Sequence, residues 1–379
     1  MSAVAKIFAH PPKTILIGPG PTARSFPIQP TAAVWPMYFS TGVFLSVVLT
    51  APIPLASNHP LAWLFWATVL GLTNTILSLF NHRSLPGFAY RKRRVFALIL
   101  FYVGFTVFQA VPLPLFQGGL SVSLPNTVVT LPSLSIAPGA SFIAAIRAIS
   151  YLIFFWLALR VARIPTRAQT MASVLLFGIA IHALIAILAL KAFSDASFIA
   201  EKNAFFGMAT GTFVNKNSFA TFLGMGALLG FSLITSRPAA GHNSQRTVLQ
   251  ALLILATVTI IVALFLTQSR MGLMATLVGG STMIFIQLNT FSKRLLSFLG
   301  LAIVVTIALN LGSAGQLERL RVDTLTRVEL YQQIANMVLA RPLTGFGAGS
   351  FPLAFELYHS APVTAGFVWD HAHSTYLSL

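Results

Sequence analysis

The sequence contains no cysteine, which excludes disulfides, thiolate zinc sites and iron–sulfur clusters. Charge is the next shortage. Only 8% of residues are charged, where soluble domains carry about a quarter. Acidic residues are the rarest: seven Asp and Glu stand against 24 Lys and Arg. They are scattered, with no Asp-x-Asp pair or carboxylate cluster for Mg²⁺ or Mn²⁺ and no obvious glycosidase pair. A P-loop, a Rossmann glycine run and a Gly-x-Ser-x-Gly elbow are also missing.

What fills the chain instead is apolar sequence. Hydrophobic residues make up 56% and the mean hydropathy is +0.82, which marks a polytopic membrane protein. The expected fold is all-α: nine transmembrane helices, the start of a tenth, and a large, partly helical outer loop. Each span is about 20 residues, enough for the ~30 Å hydrocarbon core at about 1.5 Å per residue. They are predicted near 33–53, 60–80, 95–115, 141–160, 170–190, 218–235, 248–266, 271–288 and 295–311. Residues 1–32 form a basic, proline-rich arm without an apolar period to bury. The chain ends as a further apolar segment begins, so we expect it to be a fragment or an early truncation of a longer protein.

Orientation follows from the basic residues. With a cytoplasmic N-terminus, the inner segments hold fifteen of the 24 Lys and Arg and no acidic residue. The outer segments and their margins hold the other nine and all seven acids. The net charge of +17 is then mainly topological. It predicts a cytoplasmic face that meets anionic lipid headgroups, and nucleic acid is not an expected partner.

The outer segments carry the candidate chemistry. Residues 116–141 have no charge and read as a shallow cap. The stretch 192–217 carries Asp195, Glu201, Lys202 and Lys216 and ends in Gly211-Thr-Phe-Val-Asn215-Lys-Asn217. In the loop from Gly312, Thr326-Arg327-Val328-Glu329 is a capping box. Leu330, Ile334, Met337 and Val338 follow at helical spacing as one predicted apolar face, with Arg327 and Tyr331 on another.

Arg270 lies in the short Thr267-Gln268-Ser269-Arg270 connection. It reads either as a snorkelling turn residue or as a ligand for phosphate oxygens, which its fork-shaped guanidinium suits. Arg327, opening a helix, reads as a solvated residue paired with Glu329 or Asp323, or as part of an anion site. Lys216 reads as an interfacial anchor or a substrate contact. His371 and His373 admit a structural role, a weak metal pair or a general base. His182, deep in the fifth span, reads as a packed core residue. Outer cations with a histidine are what group transfer from a diphosphate needs, since the leaving group calls for positive charge and the incoming hydroxyl for a base.

Four motifs resemble the family of O-antigen ligases and polymerases, integral membrane glycosyltransferases. They are Gly211 to Asn217; Thr267 to Arg270; Arg327 and Tyr331 running into Pro342 to Gly347; and His371 to Ser374, where Ser374 stands at a frequent family Asn. The match covers about residues 205–379, which divides the chain into an arm (1–32), an N-terminal bundle (33–204) and a ligase-like region (205–379) with an outer loop at 312–370. The resemblance implies transfer of a glycan from undecaprenyl diphosphate to a lipid or glycan acceptor, at the periplasmic face of the bacterial inner membrane, with no metal or other cofactor. It implies that Arg270 and Arg327 hold the diphosphate and that His373 acts on the acceptor hydroxyl. Lys216, Asn215, Asn217, Tyr331 and His371 are the further expected substrate contacts. A ligase, a polymerase and a protein O-glycosylating enzyme of this kind share these motifs. A polysaccharide transporter or flippase is the alternative from another class; it calls for charges inside the bundle and internal repeats, and neither is evident.

Overall fold

A computed structural model describes residues 35–80, 86–112, 120–124, 127–197, 201–202, 204–236, 244–287, 328–361 and 363. Eight apolar helices dominate: α1 (Trp35–Thr50), α2 (Pro60–Phe80), α3 (Pro86–Ala110), α4 (Pro138–Val161), α5 (Pro165–Lys191), α6 (Lys216–Thr235), α7 (Ser244–Leu266) and α8 (Arg270–Gln287). Among the described residues, six of these are long and apolar enough to cross a membrane, and α1 and α8 are shorter apolar helices. The chain is thus a multi-pass, helical membrane protein. Eight of the nine expected spans fall on these helices, whereas the span at 295–311 lies outside the described residues.

The largest shift in a boundary is at α3. It starts at Pro86, nine residues before the expected span, so the basic run 91–94 is helical rather than a loop. The uncharged cap also differs from expectation. Within it, β1 (Leu120–Leu124) and β2 (Thr127–Leu131) pair as an antiparallel hairpin. Val122, Val128 and Val129 give these short segments β-branched character, an exception to the all-helical reading.

The helices pack as two adjoining groups. In the first, α1 rests on α2, α4 and α5, while α2 and α3 rest on α4. Its core centres on Phe44, Leu77 and Leu157. In the second, α5, α6 and α7 pack together and α8 lies against α6, around Leu176, Phe219, Leu253 and Ile260. His182 ties the groups together, as expected of a core histidine. It is buried, its Nε2 lies 2.9 Å from the Leu49 carbonyl oxygen, and its ring meets Phe222 edge-on. Large apolar side chains such as Leu61, Phe101 and Ile286 point outward, which fits helices solvated by lipid.

Arg160 is a buried cation whose two Nη groups are held by neutral acceptors. Its Nη1 donates to Asn74 Oδ1 (3.1 Å) and Ser78 Oγ (2.7 Å), and its Nη2 donates to the Leu77 carbonyl (3.2 Å). These bonds staple α4 to α2. Asn74→Ala removes an acceptor from a buried charged donor, and we expect it to cost about 1–3 kcal/mol. Thermal unfolding in detergent checks this, and an unchanged midpoint would show that the staple carries no stability.

A small module outside the helix bundle, the outer module, packs against its end. Helix α9 (residues 328–340) and the short α10 (Phe351–Glu356) share a core of Leu330, Ile334, Met337, Phe346, Phe351 and Phe355. Leu330, Ile334 and Met337 face that core as expected, but Val338 is exposed. It sits four residues beyond Ile334, where the shared face has already rotated past the core. Gln333 clamps the return segment: its Nε2 donates to the Ser360 carbonyl and its Oε1 accepts from the Ser360 N–H (2.7 and 3.2 Å). The module docks on the end of α3 and the start of α4. The Ile136 N–H donates to the Phe346 carbonyl (3.0 Å), Ser141 Oγ to the Ala348 carbonyl (2.9 Å) and Gln109 Nε2 to the Thr344 carbonyl (2.5 Å).

Candidate functional site

Two helix N-termini meet at one end of the second group. Asn215 caps α6: its backbone is extended (φ −109°, ψ 123°) and its Oδ1 accepts from the Asn217 N–H at 2.7 Å. Ser269 does the same for α8, its Oγ accepting from the Gly272 N–H at 3.3 Å. The two helix starts are then joined, because Ser269 Oγ donates to Asn217 Oδ1 in the first turn of α6 at 2.8 Å. Small residues allow the approach. A Cβ on Gly272 would stand 2.5 Å from Ala220 Cβ, and one on Gly224 would stand 2.3 Å from Thr276 Oγ1. Close backbone contact of this kind is how helices associate in lipid, where no hydrophobic drive separates them from the solvent.

The turn before α8 is equally defined. Thr267 is fully buried, its Oγ1 donates to the Leu264 carbonyl (2.7 Å) and accepts from the Ser269 N–H (3.1 Å). Gln268 takes a left-handed backbone conformation (φ 51°) that turns the chain between α7 and α8. The Ala209 N–H donates to the Leu266 carbonyl (2.9 Å), so the segment before α6 is pinned to this turn. The same segment is tied down by Asp195, which pairs with Lys202 (2.5 Å) and accepts from the Gly207 N–H (2.7 Å).

On this frame stand two cations, both half-buried. Lys216 Nζ donates to Met208 Sδ (3.2 Å) and to the Gln268 carbonyl (3.4 Å) and faces the Phe205 ring at 5.9 Å. Arg270 lies close enough to Lys216 to repel it electrostatically. Each helix start adds about half a positive charge from its unpaired N–H groups. Like charges gathered by two capped helices, with hydroxyl and amide groups beside them, make a surface for an anion with several oxygens.

The structure thus brings together Lys216, Asn215, Asn217 and Arg270. Tyr331 belongs to the outer module, where it packs half-buried on that core. Arg327, His371 and His373 lie outside the described residues. Sequence reasoning missed the roles of Ser269, Met208 and Gln268. Ser269, a favoured N-cap residue standing just before an apolar run, was the available signal for the second cap. The outer module holds a further cation, Arg341, stacked 4.4 Å over the Phe346 ring. Burial holds its guanidinium below its ordinary pKa, with nearby Tyr358 acting in the opposite sense. Among the described residues, no group of three or more His, Asp or Glu is arranged for a metal ion.

These features define a polytopic helical membrane protein with a cationic surface at paired helix starts. Residues 255–379, about a third of the chain, match the model of the O-Antigen ligase family. The family read from the motifs is therefore shown over that stretch, which contains Arg270 and the outer module. No curated protein and no solved structure matches the chain.

Proposed function

We propose that this protein transfers a glycan from a polyprenyl-diphosphate carrier to a lipid-linked acceptor. The family match implies a glycosyltransferase-like membrane enzyme. The observation that carries the finer reading is the meeting of Lys216 and Arg270 at two capped helix starts. Arg270 offers two parallel N–H donors to diphosphate oxygens, and Lys216 adds a point charge. Arg327 and His373 join them in this reading as a second guanidinium and the base. The acceptor hydroxyl attacks the anomeric carbon of the donor sugar as His373 takes its proton. The bond from that carbon to the diphosphate oxygen breaks, and the carrier diphosphate leaves with the electron pair. Fixed cations stabilise the charge that grows on the leaving oxygen. The proposed location is the bacterial inner membrane, with the N-terminus cytoplasmic and this face periplasmic.

The test is a deletion strain examined for its lipid-linked glycans. We expect full-length carrier-linked polymer to accumulate without transfer to lipid. Accumulation of single repeat units would instead identify a polymerase that extends the glycan itself. Unchanged glycans on both carrier and acceptor would discard transfer altogether.

A further inference from the structure

A second site stands at the opposite end of the first helix group, on the face of the basic loops. Helix α5 has 27 residues and is about 40 Å long at 1.5 Å per residue, so it exceeds the ~30 Å hydrocarbon core. Its polar start, Pro165-Thr166-Arg167, is suited to the headgroup level. Arg167 lies there, and Met171 and Val174 follow about 6 and 10 Å further along the axis. Between this half of α5 and the first half of α1 is a cavity of about 620 Å³, lined by Tyr38, Gly42 and Leu45 of α1 and by Arg167, Met171 and Val174 of α5. That volume lies within the range of ordinary small-molecule sites.

Along α5 the lining passes from Arg167 through Thr170 to the apolar Met171 and Val174, and along α1 from Tyr38 through Thr41 to Leu45. Arg167 Nε donates to the Val161 carbonyl at the end of α4, which anchors the guanidinium beside the turn. Tyr38 stands within electrostatic reach of it. Arg160, Arg163 and Arg167 fall within eight residues, and the sequence has no Asp or Glu before Asp195. A carboxylate from helices α1 to α5 is therefore not on offer to this cluster up to Lys191. An anion that also brings an apolar chain fits both halves of the cavity.

We propose that this cavity binds an anionic phospholipid, with its headgroup phosphate at Arg167 and Tyr38 and an acyl chain between α1 and α5. The lipid bridges the two helices from the leaflet that the basic loops face. This site is separate from the Lys216–Arg270 cluster and does not rest on the glycan-transfer reading.

Gly42 supplies a variant that fills the cavity from within. A Cβ placed on it meets no atom within 4 Å, and phenylalanine has a higher helix propensity than glycine. The experiment is native mass spectrometry of the purified full chain in mild detergent, with phosphatidylglycerol or phosphatidylcholine of the same acyl composition. A basic residue at the surface favours anionic lipid by about fivefold, so we expect phosphatidylglycerol to be retained about five- to tenfold more than phosphatidylcholine. Arg167→Gln should reduce that preference to near parity. Gly42→Phe should lose both lipids while the lipid-free melting temperature stays the same or rises. Inorganic phosphate at millimolar concentration should not displace the lipid. Equal retention of the two lipids by the wild type, retention unchanged in either variant, or complete displacement by phosphate would each overturn the proposal.

Discussion

Arg270→Ala should lower the rate of glycan transfer by about two to three orders of magnitude while the protein inserts and unfolds normally. Removing one preorganised donor from a developing oxyanion costs about 2.7–4 kcal/mol in established cases, and a guanidinium supplies two such donors with full charge. The side chain is half-buried and follows the cap rather than making it. Ser269 and Asn217 still close the start of α8 in the variant, so the helix has no reason to unwind. Arg270→Lys should recover part of the rate, because the charge remains while the fork is lost. Lys216→Ala should cost less than Arg270→Ala, since it removes a single point charge and relieves the repulsion between the two cations. Transfer assays with a carrier-linked donor, run beside detergent unfolding of each variant, read these effects. Wild-type rates in Arg270→Ala would remove the diphosphate from this cluster.

Gly347→Ala should detach the outer module from the bundle. Gly347 has φ +102°, where an L side chain is strained, and a Cβ there would stand 2.2 Å from Ser135 Oγ and 2.9 Å from Ser135 Cα. The second contact is backbone, so rotation of a side chain does not relieve it. Strain of about 1–3 kcal/mol adds to an overpacking cost of about 1–3 kcal/mol. The collision also falls between two docking hydrogen bonds, those of Phe346 with Ile136 and of Ala348 with Ser141. We expect the segment 341–361 to become sensitive to protease and glycan transfer to fall with it. Gly345→Ala is the control, because its φ is +60° but no atom lies within 4 Å of the added carbon. It should cost only about 1–2 kcal/mol and leave the module docked. Equal protease sensitivity in the two variants would show that the Ser135 contact does not hold the module.

The spans were legible because lipid demands long apolar segments whose backbone hydrogen bonds close within one helix. That demand is local, and α2 begins and ends where the pattern says it should. The basic run at 91–94 misled the boundary of α3, since charges near a helix end are excluded from the hydrocarbon core but not from the helix. The hairpin at 120–131 was missed because a segment of five residues with Ser, Thr and Val carries little periodic signal. Arg270 stood out as a charge between two apolar runs. Its neighbourhood did not, because Asn217 and Ser269 are 52 residues apart and the bond between them exists only once α6 and α8 touch.

Membrane class, helical architecture, the uneven distribution of charge and the family of residues 255–379 all reside in the order of the amino acids, because each depends on composition within one segment. Three outcomes depended on packing between segments. One is the pairing of Lys216 with Arg270, which needed glycine at the crossing of α6 and α8. Another is the docking of the outer module, which needed a bare backbone at Gly347. The last is the cavity beside Arg167, whose walls come from helices more than a hundred residues apart in the chain. Such contacts are set by shape and distance in space, and local sequence carries neither.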